Sequence, residues 1–273
     1  MVGSLQSEVS IEFRYDEERK RTVLSRRKAG GLCHLGKAYW EDPVLCLQIV
    51  NPTAGLFARD ELAMSIDIQE KAKVALTSPS ACRFHTMPDG QAELTQSFNV
   101  GQGAWLDYWP ETVIPQRGSS VKQRTIINLE DESQMVFVEN LTPGRIAHGE
   151  NQEFRKLDSS IEIYHRRELL VKERCFLEPS AGHWPLSVPG WKTCHYASIW
   201  IAGKNPDEVL AECVAMVEDP TAEYLGGVTI LDSELAVMRV VAPDNLILRR
   251  LLKNLRATLK RSIPLLNTNF RKL

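Results

Sequence analysis

The sequence predicts a mainly β protein: many short strands in a layered or helical arrangement, with two α-helices near the C-terminus. Three observations carry this. Short apolar or alternating runs recur through most of the chain. Glycine, proline, asparagine and serine clusters separate them, at the spacing of turns. Helical periodicity with capping residues appears in two late segments alone.

The elements follow in order. Residues 1–12 are polar and are expected to be flexible. Residues 44–50, Val-Leu-Cys-Leu-Gln-Ile-Val, form an apolar run closed by Asn51-Pro52, which predicts a buried strand. Residues 65–69 alternate with period two, as a half-buried strand does. Residues 73–77 do likewise and stop before Pro79. Further strand-like runs cover 97–100, 104–109, 125–129, 134–139, 161–164, 169–177 and 196–201, with 228–231 and 235–241 later. No sequence repeat is visible among them.

The first helix begins at Asn205-Pro206-Asp207-Glu208: a capping residue, a proline suited to the first turn, then acids that favour the positive end of the helix dipole. Val209, Leu210, Cys213, Met216 and Val217 share one face, and Pro220 follows. The second helix, 244–261, starts at Asp244 and carries a stripe of Leu248, Leu251, Leu252, Leu255 and Leu259. Arg249, Arg250, Lys253, Arg256, Lys260 and Arg261 lie mostly off that stripe. They predict a solvated face, with a docking surface for an acidic partner as the sharper alternative. Residues 267–273 are expected to be extended or loose.

With 273 residues, 43% of them hydrophobic, the chain can bury a sizeable core, and without a visible linker 1–273 is expected to form one domain. Thirty-three basic residues nearly balance 35 acidic ones, for a net charge of -2. That removes any bulk electrostatic drive toward nucleic acid or an anionic membrane. The N-terminus lacks an apolar signal core, and no run approaches the roughly 18 apolar residues a membrane span needs. A cytoplasmic location is expected. The six cysteines are scattered with no CxxC pair, so they are expected to be reduced thiols.

Signatures of common enzymes are missing. The glycine pairs at Gly30-Gly31 and Gly101-Gln-Gly103 do not open a helix after a strand, and neither GxSxG nor HExxH occurs. Cys82-Arg-Phe-His85 has a chelating gap, but a structural zinc site commonly needs two such pairs. Buried cysteines acting as small apolar residues are the plainer interpretation, with a cysteine nucleophile and histidine base as the alternative. Three carboxylates stand out. Asp60 closes a long turn, Glu139 ends the apolar run 135–138, and Glu173 interrupts the run 169–177. A carboxylate buried charged and unpaired costs several kcal/mol, on the order given by transfer scales. Each therefore pairs with a nearby arginine (Arg59, Arg145 and Arg174 are available), faces solvent, or contributes to a polar lining inside the β structure, where a divalent ion could pause.

Several segments together resemble one family. Asn51-Pro-Thr-Ala-Gly55-Leu-Phe-Ala-Arg59-Asp60 resembles the turn of the urease accessory protein UreD, called UreH in some organisms. Residues 77–84, 103–111 and 144–150, the pairing around Glu173-Arg174, and Arg239-Val-Val-Ala-Pro243 are similar to further segments of that family, in the same order. The resemblance covers residue 13 to the end. It implies a mainly β accessory protein that is not an enzyme and holds no stable cofactor. It further implies a complex with the helical UreF and the GTPase UreG, acting on apo-urease, with Ni²⁺ in transit through an interior passage. By position it implies Asp60, Glu139 and Glu173 as lining carboxylates, with Thr77 and Ser78 as weaker additions. A metal-independent scaffold of the same fold is the alternative. The turn departs from the family pattern: Ala58-Arg59 stand where two glycines are usual, and Thr53-Ala54 replace a proline-glycine type of sequence. The Arg59 guanidinium beside Asp60 is expected to repel a cation there.

Overall fold

The computed structural model describes residues 4–181, 187–204 and 206–270. The first elements form a hairpin, β1 (Gln6–Asp16) and β2 (Arg21–Ala29), so residues 6–12 of the segment expected to be flexible are in fact part of a sheet strand. Val9, Ile11 and Phe13 alternate inward along it and are fully buried, a period-two pattern hidden by the polar residues between them. Two short strands, β3 (His34–Leu35) and β4 (Tyr39–Glu41), flank β5 (Val44–Val50).

From there the chain winds. One coil comprises β5, β6 (Gly55–Leu56) and β7 (Glu61–Ile68). The next comprises β8 (Lys73–Thr77), β9 (Cys82–Phe84) and β10 (Ala92–Val100). A third comprises β11 (Trp105–Tyr108), β12 (Val113–Pro115) and β13 (Ser120–Leu129). Then β14 (Gln134–Leu141) and β15 (Lys156–His165) add a last layer, and β16 (Glu168–Leu177) folds back antiparallel on β15. Equivalent strands of successive coils pair in parallel: β7, β10, β13 and β15 in one sheet, β5, β8, β11 and β14 in the other, and β6, β9 and β12 as a narrow third wall. The result is a solenoid-like β stack. The repeat is spatial: the register partners Glu61, Glu93, Lys122 and Asp158 lie 32, 29 and 36 residues apart. Uneven spacing and unlike residues conceal it from sequence inspection.

Side chains stack along the coils. Ile66, Phe98, Ile127 and Ile163 form one in-register ladder, and Leu45, Val74, Leu106 and Met135 form the ladder facing it; all are fully buried. β17 (His195–Ala202) and the hairpin of β18 (Leu225–Asp232) and β19 (Leu235–Ala242) extend the second sheet antiparallel. Its outer face is covered by α1 (Pro206–Val217) and α2 (Asn245–Ser262). Its inner strands are thus buried on both faces, which explains their continuous apolar runs, while the edge strand β18 stays largely exposed. Among the described residues no helix covers the outer face of the first sheet, and its strands alternate.

The leucine stripe of α2 packs as expected, and the Asp244 carboxylate accepts from the Leu246 N–H at 2.6 Å. Asn205, expected to cap α1, lies outside the described residues. Arg256 departs from the solvated face assigned to it. Its guanidinium forks onto the fully buried Asp107 at 3.1 and 2.7 Å, donates to the Leu266 carbonyl and to Thr268, and lies between the rings of Trp109 and Phe270. The tail is likewise anchored: Gln48 and Tyr39 donate to the carbonyls of Phe270 and Asn269 at 2.9 and 2.7 Å.

Candidate functional site

Between the two sheets lies a cavity of ≈ 160 Å³. Its walls are mostly apolar, from Leu62, Met64, Phe137 and Ile161, but two rows of residues bring polar side chains to it: Gln96, Thr125 and Glu173 of one row and Glu139 of the other line the space. Register fixes both rows. Glu139, Ser198 and Arg239 are consecutive neighbours on β14, β17 and β19. Gln96, Thr125, Ile161 and Glu173 are neighbours on β10, β13, β15 and β16. Period-two alternation turns both rows inward, since the residues two places away belong to the core between the sheets.

Glu139 accepts from Ser198 Oγ at 3.1 Å and Trp200 Nε1 at 3.3 Å, both on Oε2. Burial raises its pKa; those two hydrogen bonds oppose the rise, Glu173 adds to it and Arg239 counters it. Glu173 forms an ion pair with Arg239, whose guanidinium lies 5.3 Å from the Trp200 ring centroid. Sequence proximity therefore misassigns the partners. Arg145 binds Glu150 and Arg174 binds Asp158, while Glu173 is held from a strand 66 residues away. In the sequence Arg239 shows as a charge inside the apolar run 235–241 and as the start of the family-like segment 239–243, and neither signal names its partner.

Thr77 and Ser78 also line the cavity, at the end of β8. Thr77 Oγ1 donates to the Trp109 carbonyl at 2.6 Å, and Ser78 Oγ accepts from the Glu111 N–H at 2.9 Å. The Thr125 hydroxyl and Asn140 Oδ1 are buried lining atoms without a hydrogen-bond partner. Buried polar atoms almost always find one, so these atoms suit a hydrated or ion-bearing interior.

Asp60 stands apart from the cavity lining. It is buried, and its two oxygens accept from the Leu5 N–H at 3.0 Å and the Phe57 N–H at 2.8 Å. Its carboxylate therefore organises the 51–60 turn and ties the N-terminal strand to it. Gly55 serves the same turn: at φ 156° its Cα lies so close to β9 that a Cβ would fall 1.9 Å from the Arg83 carbonyl oxygen. Arg59 does not face Asp60's interior side. It points outward to Asp89 at 2.9 Å, with both side chains largely exposed, so the expected repulsion at Asp60 is relieved.

Cys82 and His85 do not form a pair. The Cys82 thiol lines the cavity and is pushed up to about 12 by burial. His85 stacks on Phe57 with centroids 4.2 Å apart, its Nε2 3.2 Å from the Thr53 carbonyl. A thiol nucleophile needs the opposite shift and an adjacent base. Cys33 and Cys175 also line the cavity, and burial pushes each up to about 11. Among the described residues, no three His, Cys, Asp or Glu side chains are grouped to hold a metal ion. Nor is any described helix long and apolar enough to cross a membrane.

Comparison with known proteins agrees with the motifs. Residues 7–269 match the family model described as UreD urease accessory protein. The chain is similar to the urease accessory protein UreD of Opitutus terrae, 36% identical over 92% of this chain and 93% of that protein. It is also similar to UreD of Citrobacter koseri, at 27% identity over 95% and 90% of the two chains, and to part of UreD of Acetivibrio thermocellus, at 33% over 49% and 51%. A match across nearly the whole chain, with the motif residues at its structural turns, places this protein in the UreD family of urease accessory proteins.

Proposed function

We propose that this chain is a non-catalytic factor of urease maturation that passes Ni²⁺ through its interior to apo-urease, in a cytoplasmic complex with the helical UreF and the GTPase UreG. The observation that carries this is the convergence of Glu139 and Glu173 on one interior cavity with Thr77 and Ser78. Oxygen donors of this kind hold a borderline divalent ion weakly, as a passage requires. With two carboxylates and hydroxyls, an ion would keep part of its water shell and exchange onward. Asp60 serves the passage indirectly by holding the turn; direct contact with an ion would cost it two backbone hydrogen bonds.

The test is co-expression of Glu139→Gln and Glu173→Gln variants with urease and its accessory proteins. Reduced nickel content of urease, with the accessory complex still co-purifying, is expected. Full nickel loading by both variants would instead favour a metal-independent scaffold. The Arg239–Glu173 pair gives that second reading its support, because a fixed positive charge at the cavity edge opposes a cation.

A further inference from the structure

We propose that Arg239 is an internal competitor for the transit site: it holds Glu173 as an ion pair, and a divalent cation lodges between Glu173 and Glu139 only by taking Glu173 from it. The inference rests on the transit reading for the arrival of the ion and adds a restraint on where it stops.

Among the described residues the cavity lining contains no lysine or arginine, and Arg239 is the cation that pairs with Glu173 from the edge. Its attachment is bipartite. One contact is to Glu173 on the facing sheet, and the other is to the face of Trp200. Trp200 in turn donates its Nε1–H to Glu139. Arg239 therefore links both carboxylates, one directly and one through the indole that orients it. The pair is partly solvated, with side-chain exposures of 36% for Arg239 and 34% for Glu173. Pairs of that exposure are weak, so a divalent ion with twice the charge can outcompete the guanidinium. When displaced, Arg239 keeps its stacking on Trp200. The unpartnered Thr125 hydroxyl is 1% exposed and sits two strands from Glu173 in the same row. It can accept or donate to the water shell of an ion arriving there.

Equilibrium dialysis of the full chain against Ni²⁺ tests this with three variants. Arg239→Gln should bind Ni²⁺ about two- to fivefold more tightly than the natural protein, the ratio expected when a weak competing pair is removed. Arg239→Lys should stay near the natural affinity. Adding Glu173→Gln to Arg239→Gln should abolish the gain. If Arg239→Gln is not recovered folded, Arg239→Met keeps the stem against Trp200 and repeats the measurement. Unchanged or weaker Ni²⁺ binding on loss of the charge, with only a lower melting temperature, overturns the proposal and leaves Arg239 a structural cation. The two readings fail separately. If Glu139→Gln and Glu173→Gln impair urease loading while Arg239→Gln binds nickel as the natural protein does, only the competitor role falls. If neither carboxylate variant affects loading, the transit reading falls.

Discussion

Glu139 is a carboxylate held where charge is costly. Burial raises its pKa, so the folded chain binds a proton there more readily than the unfolded chain does. The sign follows: its contribution to stability is present below pH 4.5 and is lost as pH rises through the raised value. At neutral pH Glu139→Gln, which keeps an acceptor for Ser198 and Trp200, should stabilise the fold by about 1 kcal/mol. Thermal melting at pH 7 and pH 4 checks it, because the gain should shrink at the lower pH. A variant that melts lower at pH 7 would show that the ionised form is better accommodated than its surroundings indicate. The interior thiols make a second residue-scale expectation. With Cys82 pushed up to about 12 and Cys175 to about 11, thiolate is scarce at pH 8, and alkylation of the folded protein should be slow until denaturant is added.

At the scale of elements, α2 is fixed to its sheet by one buried ion pair as well as by its leucines. Asp107 sits within the outward row Cys46, Ala75, Asp107 and Val136, which is otherwise apolar. Removing Arg256 takes the counter-charge away from that carboxylate under the helix. Arg256→Ala should cost about 3–5 kcal/mol, read by denaturant unfolding, and replacing Asp107 and Arg256 together by apolar residues should cost much less. The elements also mark what sequence inspection can see. Strands 44–50 and 73–77 are legible because one run is mostly apolar, the other alternates, and each stops at a proline-bearing turn, Asn51-Pro52 or Ser78-Pro79. β1 was missed because its charged outward residues, Glu8, Glu12 and Arg14, dominate the composition of a strand whose other face is core. β6, β9 and β12 span two or three residues, too few for any period to show. Within the site, Glu139 and Glu173 were visible as charges breaking apolar runs. Arg239 could not be matched to Glu173, because their meeting depends on two sheets facing each other, which no local pattern encodes.

For the whole molecule, acid should act in two stages, since two sets of its titrating groups lose stability on protonation, while Glu139 has the opposite sign. His195 is buried at the start of β17, its Nδ1 has no hydrogen-bond partner, and burial lowers its pKa below 6.5, with Asp244 opposing the shift. The unfolded chain binds that proton first, so this share of stability is present above pH 6.5 and is lost as pH falls through the folded value. The second set is the paired carboxylates of the first sheet and its turns. Arg124 and Lys172 hold Glu162 down to about 2, and Arg174 holds Asp158 below its ordinary range. Their contribution is intact above pH 4.5 and declines toward pH 2. Both Glu162 partners come from neighbouring strands, β13 and β16, so protonation there loosens the outer sheet that no helix covers. Melting temperature should therefore fall modestly as pH drops below 6.5, then steeply below pH 4.5. His195→Gln should flatten the first step and leave the second. Glu162→Gln should lower stability at pH 7 while making the steep limb shallower. A single transition unaffected by either variant would place the acid sensitivity outside both sets.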